Sequence, residues 1–103
     1  MKEYILDYER SKQMYEAHKN IIEMKMCYMN IWNIAVSKEL TRDFMKGKLK
    51  VAYGAMPSVV NTMVRHCFIV DDKGNAIDPT VFSVPEREPE EKAVYIAHTV
   101  DKN

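Results

Sequence analysis

His66-Cys67-Phe68-Ile69-Val70-Asp71-Asp72-Lys73-Gly74-Asn75-Ala76-Ile77-Asp78 reads as a β-hairpin with a histidine on its first strand and an aspartate at the end of its second. Pro79-Thr80 follow directly. Apolar, β-branched stretches flank a polar turn that contains a glycine, the usual hairpin signal. Whether His66 and Asp78 share a face depends on the turn, because a one-residue slip reverses every side chain. A two-residue turn at Lys73-Gly74 sets Ile69 opposite Asp78 and sends His66 to the other face. A three-residue turn, Asp72-Lys73-Gly74, sets Asp71 opposite Asn75 and Phe68 opposite Asp78. His66 is then diagonal to Asp78 on one face, roughly 7–8 Å away between backbones and within side-chain reach. A five-residue loop also keeps the two on one face. Three-residue hairpins favour glycine at their last, left-handed position, where Gly74 falls. The pattern therefore leans towards an odd turn and a His66–Asp78 pair.

Upstream, Cys27 stands where an apolar helical pattern begins. A thiol reacts as thiolate, and a helix N-terminus and a histidine both lower its pKa. The N–H groups of that first turn are also suited to hold an oxyanion. Cys27, His66 and Asp78 thus supply a nucleophile, a base and an orienting carboxylate, the parts of a thiol acyl-transfer site. Asn30, one turn along nearly the same helical face, offers a weaker polar contact at the site mouth, though a helix-surface asparagine is the plainer reading. Tyr28, like Asn30, is a weak candidate for a substrate-binding or oxyanion contact, though a core position is a plainer reading than a proton donor. Cys67 alternates onto the face opposite His66 and reads as a small buried thiol.

Around these residues the chain reads as one α+β domain, residues 1–103, with N-terminal helices packed on an antiparallel β-sheet. Residues 1–20 form an N-terminal helix, 21–80 the Cys-His-Asp core, and 81–103 a loop and final strand. Tyr4, Tyr8, Ser11, Tyr15, His18 and Ile22 recur at four-three spacing and predict a helix from Lys2 to about Lys19, with Asn20 as its stop. Ile22, Met24 and Met26 alternate with charged residues, which suggests an extended lead-in to Cys27; one unbroken helix through Cys27 is the alternative. A second helix is expected from Cys27 to Lys38 or beyond, with Tyr28, Ile31, Trp32, Ala35 and Val36 as its apolar stripe. After a possible break near Thr41, Leu40, Phe44 and Met45 continue it to Lys46-Gly47-Lys48. Leu49–Tyr53 and Met63–Val70 read as strands, and Gly54–Ser58 as a loop or strand end because Pro57 cannot donate to a ladder. Val84–Glu91 reads as a solvated loop and Ala93–Val100 as a last strand.

Composition excludes several classes. The chain has 103 residues, 47% of them hydrophobic, enough for a core. Fifteen basic and fifteen acidic residues cancel, without a polybasic block, so neither nucleic acid nor an anionic membrane is an expected partner. No apolar run is long enough for a membrane span, and Met1-Lys2-Glu3-Tyr4 does not resemble a signal peptide. Two cysteines among eight methionines suit a reducing, cytoplasmic setting better than a disulfide framework.

In the order and placement of these residues the chain resembles the transglutaminase-like cysteine protease superfamily, a papain-related fold, and in Cys27-Tyr28-x-Asn30 its small bacterial and phage-type members. The similarity runs from about Met26 to Thr80. It is carried by Cys27 at a helix start, His66-Cys67-Phe68 on a strand, Gly74 in the turn, and Asp78-Pro79-Thr80. It implies a thiol-dependent amide hydrolase or acyl transferase (a peptidase, amidase, deamidase or glutamine cross-linker) acting on a peptide or protein amide without a cofactor. Cys27 would attack the carbonyl, His66 shuttle the proton, and Asp78 orient His66. The competing expectation is an inactive interaction module of the same fold, with a homodimer through the tyrosine seam of the first helix as one form of it. A metal site of Cys27, His66, Asp78 and His98 is weaker, because the spacing contains no close-ligand pair.

Overall fold

The computed structural model describes residues 1–23, 26–57, 63–83 and 91–99, and in it Lys2–Leu6 is a β-strand, β1, where the tyrosine spacing predicts helix. Tyr4 and Leu6 point inwards and are buried, whereas Glu3 and Ile5 point out, a period of two rather than 3.6. Tyr4 satisfies both periods, so five residues could not separate them. The missed signal is Asp7. Its carboxylate accepts from the Arg10 backbone N–H at 3.1 Å and caps helix α1, Tyr8–His18. The helix ends at His18, just short of Asn20.

Helix α2 spans Cys27–Ala35 and is separate from α1, so the unbroken-helix alternative is excluded. Met24 and Lys25, the centre of the expected lead-in, lie outside the described residues. A short α3, Thr41–Met45, follows as its own element rather than as a continuation of α2. Strand β2 covers Leu49–Pro57, so Gly54–Pro57 is strand and not loop. Strand β3 is Met63–Asp71, β4 is Asn75–Ile77, a 3-10 turn covers Thr80–Ser83, and β5 is Val94–Thr99. Ser58, most of the expected 84–91 loop and Val100 fall outside the described residues.

The strands close into a barrel in the order β1-β4-β3-β2-β5, with β5 returning to β1. All pairs are antiparallel except β1 with β4, which is parallel, so the sheet is mixed where antiparallel was expected. The α+β class stands. Closure depends on Gly54, which lies opposite His66 on β3 and opposite Ala97 on β5. A Cβ there would come within 2.0 Å of the Ile96 carbonyl oxygen and 2.6 Å of Ala97 Cα. The glycine is required by a close backbone approach.

The alternation of β3 divides the core in two. Phe68 and Val70 point into the barrel with Tyr4, Leu6, Met56 and Tyr95. Cys67 and Ile69 point outwards, where Ile31 and Ile34 of α2 cover them. Each fully buried isoleucine contributes about 1.5–3 kcal/mol of transfer free energy to holding α2 on the sheet. The buried face of α2 is centred on Cys27, Ile31 and Ile34. Tyr28, Trp32 and Val36, expected in the stripe, are instead exposed at 58%, 38% and 72%. No helix among the described residues is long and apolar enough to cross a membrane.

Candidate functional site

The site is assembled from the hairpin outwards. Ile69 pairs with Ile77 and Val70 with Ala76, the register of a three-residue turn at Asp72-Lys73-Gly74. Gly74 has φ +87°, a conformation that L side chains rarely adopt. Asp71 holds the turn: Oδ1 accepts from the backbone N–H of Lys73 and of Asn75, both at 2.9 Å. Its Oδ2 accepts from the Asn75 amide at 2.9 Å and from Arg10 Nη1 at 2.7 Å. Although burial pushes the Asp71 carboxyl up, these donors prevail, Asn75 foremost, and bring it down to about 2.

This register places His66 and Asp78 on one face. His66 Nε2 lies 2.9 Å from both carboxylate oxygens of Asp78. Asp78 is fully buried, and the hydroxyl of Tyr95 donates to its Oδ2 at 2.7 Å. Its backbone N–H donates to Ser11 Oγ at 2.9 Å, and Ser11 in turn donates to the Asp7 carbonyl at 2.7 Å. Helix α1 therefore anchors the main chain of Asp78, while β3 and β5 hold its side chain. The ring of Phe68 stacks beneath His66, with centroids 6.1 Å apart and planes at 20°.

Cys27 is the first residue of α2, and Met26 before it provides no side-chain cap for the first-turn N–H groups. The thiol lies close enough to His66 and to the backbone of Cys67 for both to act on its charge. β2 pairs with β3 along its whole length, whereas β4 ends at Ile77 and pairs only with Ile69 and Val70 of β3. With His66 Nε2 committed to Asp78, Nδ1 is the ring nitrogen left for the sulfur. The hydrogen bond from His66 does most to lower the Cys27 pKa. Burial opposes it, and the Cys67 backbone and the charge of His66 add to the lowering. Burial pushes His66 down, yet the charge and hydrogen bond of Asp78, together with Cys27, lift it to about 10. The two directions both favour a thiolate beside an imidazolium.

The remaining expected site residues have other positions. Asn30 is buried rather than on the helix surface. Its amide donates to the Glu23 carbonyl at 2.7 Å and to Thr80 Oγ1 at 3.3 Å, and its carbonyl accepts from the Glu23 N–H at 2.9 Å. It clips the lead-in of Cys27 to the segment that follows Asp78. Tyr28 is exposed and tilts against Trp32 at 6.2 Å between centroids, not in the core. Cys67 is buried on the α2 side of β3, and burial foremost, with the charges of Cys27 and Asp78, pushes its thiol up to about 12. His98 is exposed on β5, whose alternate residues Tyr95 and Ala97 point inwards. Among the described residues no group of three or more His, Cys, Asp or Glu is arranged to hold a metal ion.

Two residues in contact with Asp78 were not anticipated. Tyr95 belongs to a strand whose alternation was legible, but only barrel closure reveals which of its faces is inside. Ser11 sits in the tyrosine seam, where a small hydroxyl among rings was the one available sign. No protein-family model matches the chain, and neither does any curated protein or solved structure.

Proposed function

We propose that the protein is a thiol-dependent amide hydrolase or acyl transferase of the transglutaminase-like, papain-related kind. The observation that carries this is the pairing of His66 with the buried carboxylate of Asp78, 2.9 Å away, beside a Cys27 thiol whose pKa His66 lowers. These groups come from a helix start, a central strand and the residue after a hairpin, and packing does not require three polar groups there.

In this reading the Cys27 thiolate attacks an amide carbonyl carbon. The uncapped first-turn N–H groups of α2 are the donors suited to the developing oxyanion. The tetrahedral adduct collapses as His66 gives its proton to the departing amine, leaving a thioester on Cys27. Water or an amine then attacks the thioester while His66 takes a proton back, and the thiolate leaves. Asp78 keeps the ring in place and stabilises its charged form.

The test is iodoacetamide labelling, read by mass spectrometry across pH. Cys27 is expected to label at pH 6, well below the ordinary thiol range near 8.5, while Cys67 stays unlabelled in the folded protein. His66→Ala should return Cys27 to ordinary behaviour. A parent Cys27 that reacts only as an ordinary thiol overturns the proposal.

An inactive interaction module is the second reading, favoured by the outer face of α2. Met26, Tyr28, Met29, Trp32 and Val36 are all exposed there. By contrast the seam of α1 rests on its own chain, with Tyr8 and Tyr15 packed at 5.3 Å and 6.3 Å from Phe82. A homodimer would then form through α2, and sedimentation of the parent and of Trp32→Glu distinguishes it from a monomer.

A further inference from the structure

We infer that Tyr95 is a positioning residue for the triad: its hydroxyl shares the charge of Asp78 with His66, which keeps the imidazolium able to release its proton. This rests on reading Cys27, His66 and Asp78 as a thiol site. Asp78 is fully buried, so protein groups rather than water must neutralise its charge. His66 Nε2 reaches both oxygens at 2.9 Å, and the Tyr95 hydroxyl reaches Oδ2 at 2.7 Å. Two donors on one carboxylate compete, because each hydrogen bond draws charge that the other would otherwise feel. Without the phenol, the carboxylate would act on the imidazole alone and hold its proton harder. An acid that binds its proton too tightly is a poor donor to a leaving amine near neutral pH.

The placement of Tyr95 fits this role. Its side chain is fully buried, and its ring meets Phe68 edge-on at 4.7 Å between centroids and 73° between planes. Phe68 in turn stacks against His66. The same ring stack therefore fixes the phenol and the imidazole relative to each other. Tyr95 also faces Tyr4 across the β1–β5 ladder, which fixes its backbone.

The experiment follows alkylation of Cys27 by iodoacetate, whose negative charge needs the imidazolium, together with the ring NMR signals of His66 among the three histidines. The parent rate should rise as the thiolate forms and fall as His66 deprotonates. Tyr95→Phe is expected to move the falling limb and the His66 titration upwards by about half a pH unit, the size of a shared hydrogen bond. 3-Fluorotyrosine introduced at Tyr95 retains the packing and is a stronger donor, so it should move both downwards. Should Tyr95→Phe fail to fold, the fluorinated variant decides alone. A parent bell that neither change moves, or that Tyr95→Phe moves downwards, overturns the role of Tyr95 and leaves the thiol site standing. A parent with no bell overturns the thiol reading and this inference with it.

Discussion

His66 and Asp78 hold each other by an interaction whose strength varies with pH. The folded pKa of His66, about 10, lies above its ordinary 6.5. The stabilisation is therefore complete below about pH 6.5 and is lost as pH rises towards 10. Denaturant midpoints of the parent and His66→Ala should differ most near pH 6 and converge at alkaline pH. Asp78→Asn removes the charge that retains the imidazolium proton, so Cys27 labelling at pH 6 is expected to fall about tenfold or more. A variant that labels like the parent would show that the carboxylate only fills space. At this level the sequence was informative, since Cys27, His66 and Asp78 were each identifiable from their chemistry. Asn30 was misplaced because its partners, Glu23 and Thr80, are brought together by packing and leave no local pattern.

The hairpin shows how a turn of three residues determines which side chains meet. Gly74→Ala puts a Cβ into open space but at φ +87°, so the cost is backbone strain of about 1–2 kcal/mol. Asp71→Ala strips the turn of its acceptor and should cost about 1–3 kcal/mol at neutral pH. Because the folded pKa of Asp71 is about 2 against an ordinary 3.8, the stabilisation is present above 3.8 and disappears as pH falls towards 2. Urea titrations of the parent and Asp71→Ala should therefore converge in acid. The odd turn was legible because it rests on local glycine chemistry. The extent of α1 was not, because Tyr4 fits a helix face and a strand face equally well and Asp7 is a cap only if β1 precedes it.

Over the whole chain, the barrel must close for the site to exist. Gly54 allows β5 to approach β2, and it lies opposite His66 on the neighbouring strand. Gly54→Ala forces a methyl onto the Ile96 carbonyl and the Ala97 backbone. Neither can give way without opening the β2–β5 ladder, so a loss of about 3 kcal/mol or more is expected, with loss of the cooperative thermal transition by circular dichroism. A variant with parent-like melting would mean that β5 is not held there. Low-pH labelling of Cys27 needs the folded site, so it should weaken together with stability.

Local chemistry picked out the candidate site residues, the parity of the turn and the α+β class, since each depends on residues close together in the chain. The strand character of Lys2–Leu6, the parallel β1–β4 pair, the exposed side of α2 and the contacts of Ser11 and Tyr95 with Asp78 came from folding. Those features depend on partners tens of residues away, and hydrophobic spacing along one segment carries no information about which distant segment will complete its hydrogen bonds.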